Sequence, residues 1–169
     1  MKNPIILLLV FVTFSYGQTP CVNGYAGIYP CSGLGLQAQI PFTDMGATNA
    51  NDAWGWTDPL DGTEYAIVGL DNGTAFIDIS NPTNPIYLGK LHSASGTNLA
   101  RDIKTYNNFA FIVSEASNHG MQIFDLTHLR DVPNPPTTFT TDALYSEFSN
   151  AHNLAVNEET GYAYALRTN

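Results

Sequence analysis

The sequence predicts an all-β protein, a β-propeller of four-stranded antiparallel blades, and three observations carry that expectation. Charged residues make up only 12% of the 169, about half the usual share, against 44% hydrophobic residues. The apolar residues fall in short runs of strand length, separated by Gly, Pro, Asn and Asp clusters. Finally, the pattern returns after about 45–50 residues, a spacing typical of propeller blades. Gly73 is matched by Gly120 and Asp78 by Asp125, both at an offset of 47.

The N-terminus reads as an export signal. Lys2 precedes the apolar run Ile5 to Phe14, and the small residues Ser15 and Gly17 stand where a signal peptidase cuts. Residues 1–17 are therefore expected to be removed, leaving a mature chain that starts at Gln18 and has no transmembrane span. Cys21 and Cys31 follow the signal, and in an oxidising compartment they are expected to pair. So small a loop would contribute on the order of 2–3 kcal/mol by the chain-entropy argument. A zinc centre would need a second Cys or His pair close by.

Residues 18–50 form an N-terminal segment. Within it Leu34 to Phe42 alternates apolar and polar residues and is expected to be a half-buried strand ending at Pro41; Thr43 to Asp52 is a polar loop. The propeller part, residues 51–169, opens on the aromatic strand Ala53 to Trp56. Tyr65 to Gly69 and Thr74 to Ile79 are two strands of a hairpin whose turn, Asp71-Asn72-Gly73, favours positive φ. Asn81-Pro82-Thr83-Asn84-Pro85 breaks the pairing, and Ile86 to Leu91 supplies the outer strand.

The same order recurs. Arg101 to Tyr106 matches Asp52 to Trp56, Phe109 to Val113 matches Tyr65 to Gly69, and Gly120 to Leu126 matches Gly73 to Ile79. A third copy begins at Ala151-His152-Asn153-Leu154 and reaches Tyr162 to Leu166. The expected blades are 51–97, 98–148 and an incomplete 149–169, about two and a third in all. Since a closed ring needs about four to eight blades, the chain is expected to be the N-terminal part of a longer product or else a truncated reading frame. A β-sandwich would also give many short strands, but it accounts less well for the recurrent Gly-to-Asp spacing.

Several segments carry a resemblance. They are Pro20-Cys21 to Cys31-Ser32-Gly33, Asn51 to Trp56, Gly73 to Ser80 with Asn81-Pro82 and Pro85, His152-Asn153-Leu154, and Glu159 to Tyr164. Together they resemble the secreted bacterial choice-of-anchor B proteins, whose blades are related to the LVIVD repeat. The resemblance implies an exported propeller, secreted or at the cell surface, with attachment through C-terminal sorting machinery. It carries no catalytic residue over to this chain.

The formal charge of −9 and the scattered Lys and Arg residues exclude a phosphate-binding stripe, so nucleic acid is not an expected partner. No nucleophile elbow, HExxH helix, phosphate loop or dinucleotide fingerprint is present. In a four-stranded meander the inner-strand entry and the turn between strands two and three share a face. That places Asp52, Arg101 and His152, with the turn residues Asp71 and Asn72, on one rim. Different polar groups at equivalent blade positions suit a ligand-binding rim for an extracellular protein or glycan. The alternative is mutual satisfaction of these groups around a water-filled channel.

Glu115, His119 and His152 form a second candidate set, for a divalent metal. With it comes the alternative of a metal-dependent hydrolase or lyase; otherwise no cofactor is expected. A structural surface-layer component is the remaining alternative. Asp78 and Asp125 are expected to accept backbone N–H bonds at blade corners, and Trp54 and Trp56 to pack between blades.

Overall fold

A computed structural model describes residues 18–169, so the predicted signal segment lies outside the described residues. Two compact units are present, dividing after Ala38. Among the described residues no helix is long and apolar enough to cross a membrane.

In the first unit, β1 (Tyr25–Ala26) and β2 (Tyr29–Pro30) form a small antiparallel pair. Cys21 and Cys31 are disulfide-bonded with their Cα atoms 5.9 Å apart, as the sequence predicts. The strand expected over Leu34 to Phe42 does not form. Leu36 makes a single bridge to Thr19, and Phe42–Met45 is a turn of 3-10 helix. Alternation alone makes no strand without an edge to pair with, and Ile40 instead packs beside Met45. Gly46 closes the turn in the left-handed region, at φ 59°.

The second unit is all-β apart from short 3-10 turns. β3 (Ala50–Thr57), β4 (Glu64–Leu70), β5 (Gly73–Asp78) and β6 (Ile86–His92) form an antiparallel meander. β7 (Arg101–Tyr106), β8 (Phe109–Ser114) and β9 (Met121–Asp125) repeat it, and β12 (Asn153–Asn157) with β13 (Tyr162–Leu166) form a final hairpin. Apart from the Leu34 to Phe42 segment, the strands expected from the sequence stand within a residue or two of their limits, except that β3 begins three residues before Ala53.

One connection departs from the simple repeat. After β9 the chain runs through the 3-10 turn Leu126–Leu129 and crosses back to the first sheet, where β10 (Thr137–Phe139) pairs parallel with β6. It then returns as β11 (Ala143–Tyr145), the outer strand of the second sheet. The first sheet therefore runs β10-β6-β5-β4-β3 and the second β11-β9-β8-β7. Gly89 is required at the crossing, because a Cβ there would meet the Thr137 backbone.

Alternate residues of each strand face the neighbouring sheet, and this period of two builds the core. Trp56, Tyr65, Ile67, Phe76, Leu88 and Leu91 from the first sheet pack on Ile103, Ile112 and Phe124 from the second. The Phe76 and Phe124 rings stack with centroids 4.6 Å apart, and Phe139 of β10 sets its edge against both at 5.3 Å. The outer face of the first sheet is covered by Ile40, Met45 and Ala47. Val113 on the far face of the second sheet packs with Ala151 and Leu154 of the hairpin segment.

Two equivalent glycines open the third strand of each meander. Neither Asn72 nor Gly73 has positive φ, contrary to the expectation for this turn. Gly73 is required for a different reason: a Cβ would collide with the Leu91 carbonyl of β6. At Gly120 a Cβ would collide with the Tyr145 carbonyl of β11, and φ is +64° as well. The repeated glycine is a close approach between the third and fourth strands.

Asp78 and Asp125 also occupy equivalent corners. Asp78 Oδ1 accepts the Ser80 N–H at 2.9 Å and Asp125 Oδ1 the Thr127 N–H at 2.9 Å, as expected of scaffold carboxylates. A further tie was not foreseen: the Arg130 guanidinium grips the solvent-inaccessible Asp58 carboxylate through two hydrogen bonds of 2.5 and 2.8 Å. Arg130 holds the Asp58 carboxyl below the usual carboxylate range.

Candidate functional site

The site lies where β3, β7 and β12 begin. Each is the edge strand of its own sheet, and each lies beside the next. An unpaired sheet edge carries bare N–H and C=O groups that must be satisfied or hidden. Here carboxylates do this. Asp52 Oδ2 accepts the Ile103 N–H at 2.8 Å, and Asp102 Oδ2 accepts the Leu154 N–H at 2.5 Å. Asn51 Nδ2 adds a bond to Arg101 O at 3.1 Å, Trp54 Nε1 one to Thr105 Oγ1 at 3.1 Å, and Trp56 Nε1 one to Asn107 O at 3.2 Å.

These bonds fix the register, and it differs by one residue from the alignment made on the sequence. Asp52 is equivalent to Asp102 and Asn153, whereas Arg101 and His152 are equivalent to Asn51. A slip of one residue moves a side chain to the opposite face of its strand. The Arg101 side chain accordingly enters the core, where it is 1% exposed. Its Nε donates to Leu70 O, one terminal nitrogen to Ser93 Oγ and the other to His119 Nε2, each at 3.0 Å. Burial pulls the guanidinium pKa down to about 10. Arg101 is thus a satisfied interior group between the first two sheets.

A cleft of about 530 Å³ nevertheless draws the three predicted inner-strand residues together. It is lined by Asn51, Asp52, Asn98, Leu99, Ala100, Arg101, Asp102, His152 and Asn153. Asp52, Arg101 and His152 were expected at one rim; Asn51, Asn98, Asp102 and Asn153 were not. The triplets Asn51-Asp52-Ala53, Arg101-Asp102-Ile103 and His152-Asn153-Leu154 carried the missing signal, an Asp or Asn before an apolar residue in each copy.

Asp71 and Asn72, expected at the same rim, do not line the cleft. Asp71 accepts the Thr48 N–H at 3.3 Å and its hydroxyl at 2.6 Å, and the hydroxyl bond holds its carboxyl below the usual range. Asn72 donates to Gly46 O at 2.7 Å and accepts from Lys90 Nζ at 3.1 Å. The Asp71 carbonyl also accepts the Asn98 N–H at 2.9 Å, so the turn fastens the segment that carries Asn98 and Leu99.

The proposed metal set separates. His152 Nδ1 and Glu115 Oε1 pair at 2.6 Å, but both ring nitrogens of buried His119 are taken, Nε2 by Arg101 and Nδ1 by Gly120 O at 3.0 Å. Among the described residues no three His, Cys, Asp or Glu side chains are grouped to hold a metal ion. Accepting from Arg101 requires an unprotonated Nε2, so Nδ1 carries the proton. Burial, with the nearby guanidinium, keeps the His119 pKa below its ordinary value.

The electrostatics of the cleft are set by a carboxylate pair. Burial and the neighbouring Asp102 carboxyl raise the Asp52 pKa, against the pull of the Ile103 N–H. Burial acts on Asp102 in the same direction, yet Lys104 Nζ, 2.5 Å from Oδ1, and the Leu154 N–H outweigh it and leave Asp102 low. Lys104 Nζ also sits 4.3 Å over the half-exposed Trp54 ring. Trp56, by contrast, is buried and stacks on Tyr65.

Comparison with protein families finds one match, the LVIVD repeat, over residues 63–92. That segment runs from the end of the first inner turn through β4, β5 and β6. No curated protein and no solved structure matches the chain.

Proposed function

We propose that this chain is the propeller-forming part of a secreted or cell-surface binding module, and that the cleft at the starts of β3, β7 and β12 is its contact region. The observation that carries the reading is the convergence of equivalent positions from three successive repeats on one cleft of about 530 Å³. Each repeat places a different pair at the cleft, Asn51 and Asp52, Arg101 and Asp102, His152 and Asn153, with the Arg101 side chain turned into the core. A recognition surface built from repeats obtains its specificity in this way, by varying residues at fixed backbone positions.

The propeller reading is supported by the successive stacked sheets, by inner edges that lie side by side, and by the LVIVD match over one repeat. The choice-of-anchor B resemblance agrees with it, and with an extracellular location, as does the Cys21–Cys31 disulfide. Attachment through a C-terminal sorting segment belongs to the same proposal.

The experiment is array binding. Fluorescently labelled mature protein is applied to extracellular proteins and glycans beside an Asn153→Trp variant, whose indole would occupy the cleft. Asn153 is exposed, so the variant is expected to keep the fold. Binding that is lost in Asn153→Trp supports the reading. Binding that persists unchanged, or no binding to any array member, contradicts it.

A further inference from the structure

The ligand chemistry can be read from what the cleft's side chains have left to give. Asp102 is spent: its Oδ1 takes Lys104 Nζ and the Ile103 N–H, and its Oδ2 takes the Leu154 N–H. Arg101 is spent as well, with its guanidinium turned into the core. The groups with capacity among the described residues are neutral or singly engaged. Asn51 gives its Nδ2 to Arg101 O and keeps its amide oxygen. Asn98 takes the Ala100 N–H on its Oδ1 at 2.8 Å and keeps its amide nitrogen. Asn153 is exposed and can offer both, and Asp52 keeps Oδ1. Glu115 accepts from the Nδ1–H of His152, which leaves the ring's Nε2 free.

A mixed set of this kind selects among ligand classes. An ammonium group needs acceptors only, and the Asn98 amide nitrogen would face it unpaired. A phosphate or sulfate needs donors, yet it would meet the Asp52 carboxylate, with Arg101 turned into the core and Lys104 held by Asp102. A hydroxyl donates and accepts at once, so a run of hydroxyls can satisfy every one of these groups. Beside them Leu99 is 47% exposed and offers an apolar patch for C–H groups. The volume, about 530 Å³, suits a small organic ligand.

From this inventory, and resting on the binding-module reading above, we infer that the cleft takes a neutral polyhydroxylated ligand, a mono- or disaccharide unit, held by the carboxamides of Asn51, Asn98 and Asn153 with Asp52 Oδ1 as an acceptor.

The test uses isotope-labelled mature protein titrated with neutral hexoses and their disaccharides, then with lysine, then with inorganic phosphate, following the backbone and carboxamide signals. Neutral sugars are expected to move the Asn51, Asn98 and Asn153 signals. Asn153→Ala is expected to weaken that binding about two- to tenfold, the equivalent of one lost hydrogen bond, while the remaining backbone spectrum is unchanged. Movement of these signals by lysine or phosphate but by no sugar overturns the ligand class and leaves the cleft as a binding site. If no probe moves them and array binding is insensitive to Asn153→Trp, both readings fall. Sugar binding of undiminished affinity in Asn153→Ala overturns the assigned contacts.

Discussion

Asp52 and Asp102 share one backbone donor: the Ile103 N–H lies 2.8 Å from Asp52 Oδ2 and 3.1 Å from Asp102 Oδ1. Two carboxylates from neighbouring sheets thus meet over a single amide, with Lys104 bonded to Asp102. The pair stitches the sheet edges together and also forms part of the cleft wall.

The two carboxyls make opposite contributions to stability as pH changes. Asp52 has a folded pKa above the ordinary 3.8, so its contribution falls as pH rises from 3.8 through the raised value. Asp102, Asp58, Asp71 and Asp125 lie below 3.8, so the stability they add is present above that value and is lost as pH falls through their folded pKa values. Asp52→Asn removes the first contribution and leaves those of Asp58, Asp71 and Asp125 in place. In urea denaturation the variant should gain on the wild type as pH rises above 3.8 through the raised Asp52 value. Parallel stability profiles would contradict the assignment.

His119 should be protonated only below its ordinary pKa of 6.5. Its folded pKa is depressed, so the stability it contributes is present above 6.5 and is lost as pH falls below that value toward the folded pKa. Its ring signals should show no protonation step at the ordinary value, and His119→Gln should flatten the stability profile in the window below 6.5. A normal titration would break the Arg101 to His119 contact on which this rests.

Arg101→Lys should cost about 1.5–3 kcal/mol. A lysine cannot reach Leu70 O, Ser93 Oγ and His119 Nε2 together with a planar fork of donors. Denaturation midpoints measure this, and a near-neutral substitution would show that the buried guanidinium is dispensable.

The two repeat glycines should differ. Gly73→Ala must push back the Leu91 carbonyl, an overpacking cost of about 1–3 kcal/mol. Gly120→Ala meets the Tyr145 carbonyl and adds the left-handed backbone penalty, about 1–2 kcal/mol more. Equal costs would mean that the backbone at Gly120 relaxes without strain.

Much of the fold was legible because it rests on local patterns. Turn residues and a period of two marked β3 to β9 and β12 to β13, and Gly73, Asp78 and their counterparts marked the repeat. Two features were not local. β10 joins the first sheet although it lies in the second repeat, since a parallel partner far along the chain leaves no short-range signal. The inner-strand register was misplaced by one because the connections differ in length. Six residues, Asp58 to Thr63, separate β3 from β4, but only Asn107 and Asn108 separate β7 from β8. An alignment anchored on Gly73 and Asp78 therefore drifts before it reaches Asp52 and sets Arg101 there in place of Asp102.

The cleft exists because Asp102 holds the start of β12 against β7, as Asp52 holds β7 against β3, and amide hydrogen exchange at Leu154 tests that most directly. In the wild type the Leu154 amide should be protected. In Asp102→Ala it should exchange at least about tenfold faster, while the core amide of Ile112 is unchanged. An unprotected Leu154 amide in the wild type, or an exchange rate indifferent to Asp102, would contradict the account.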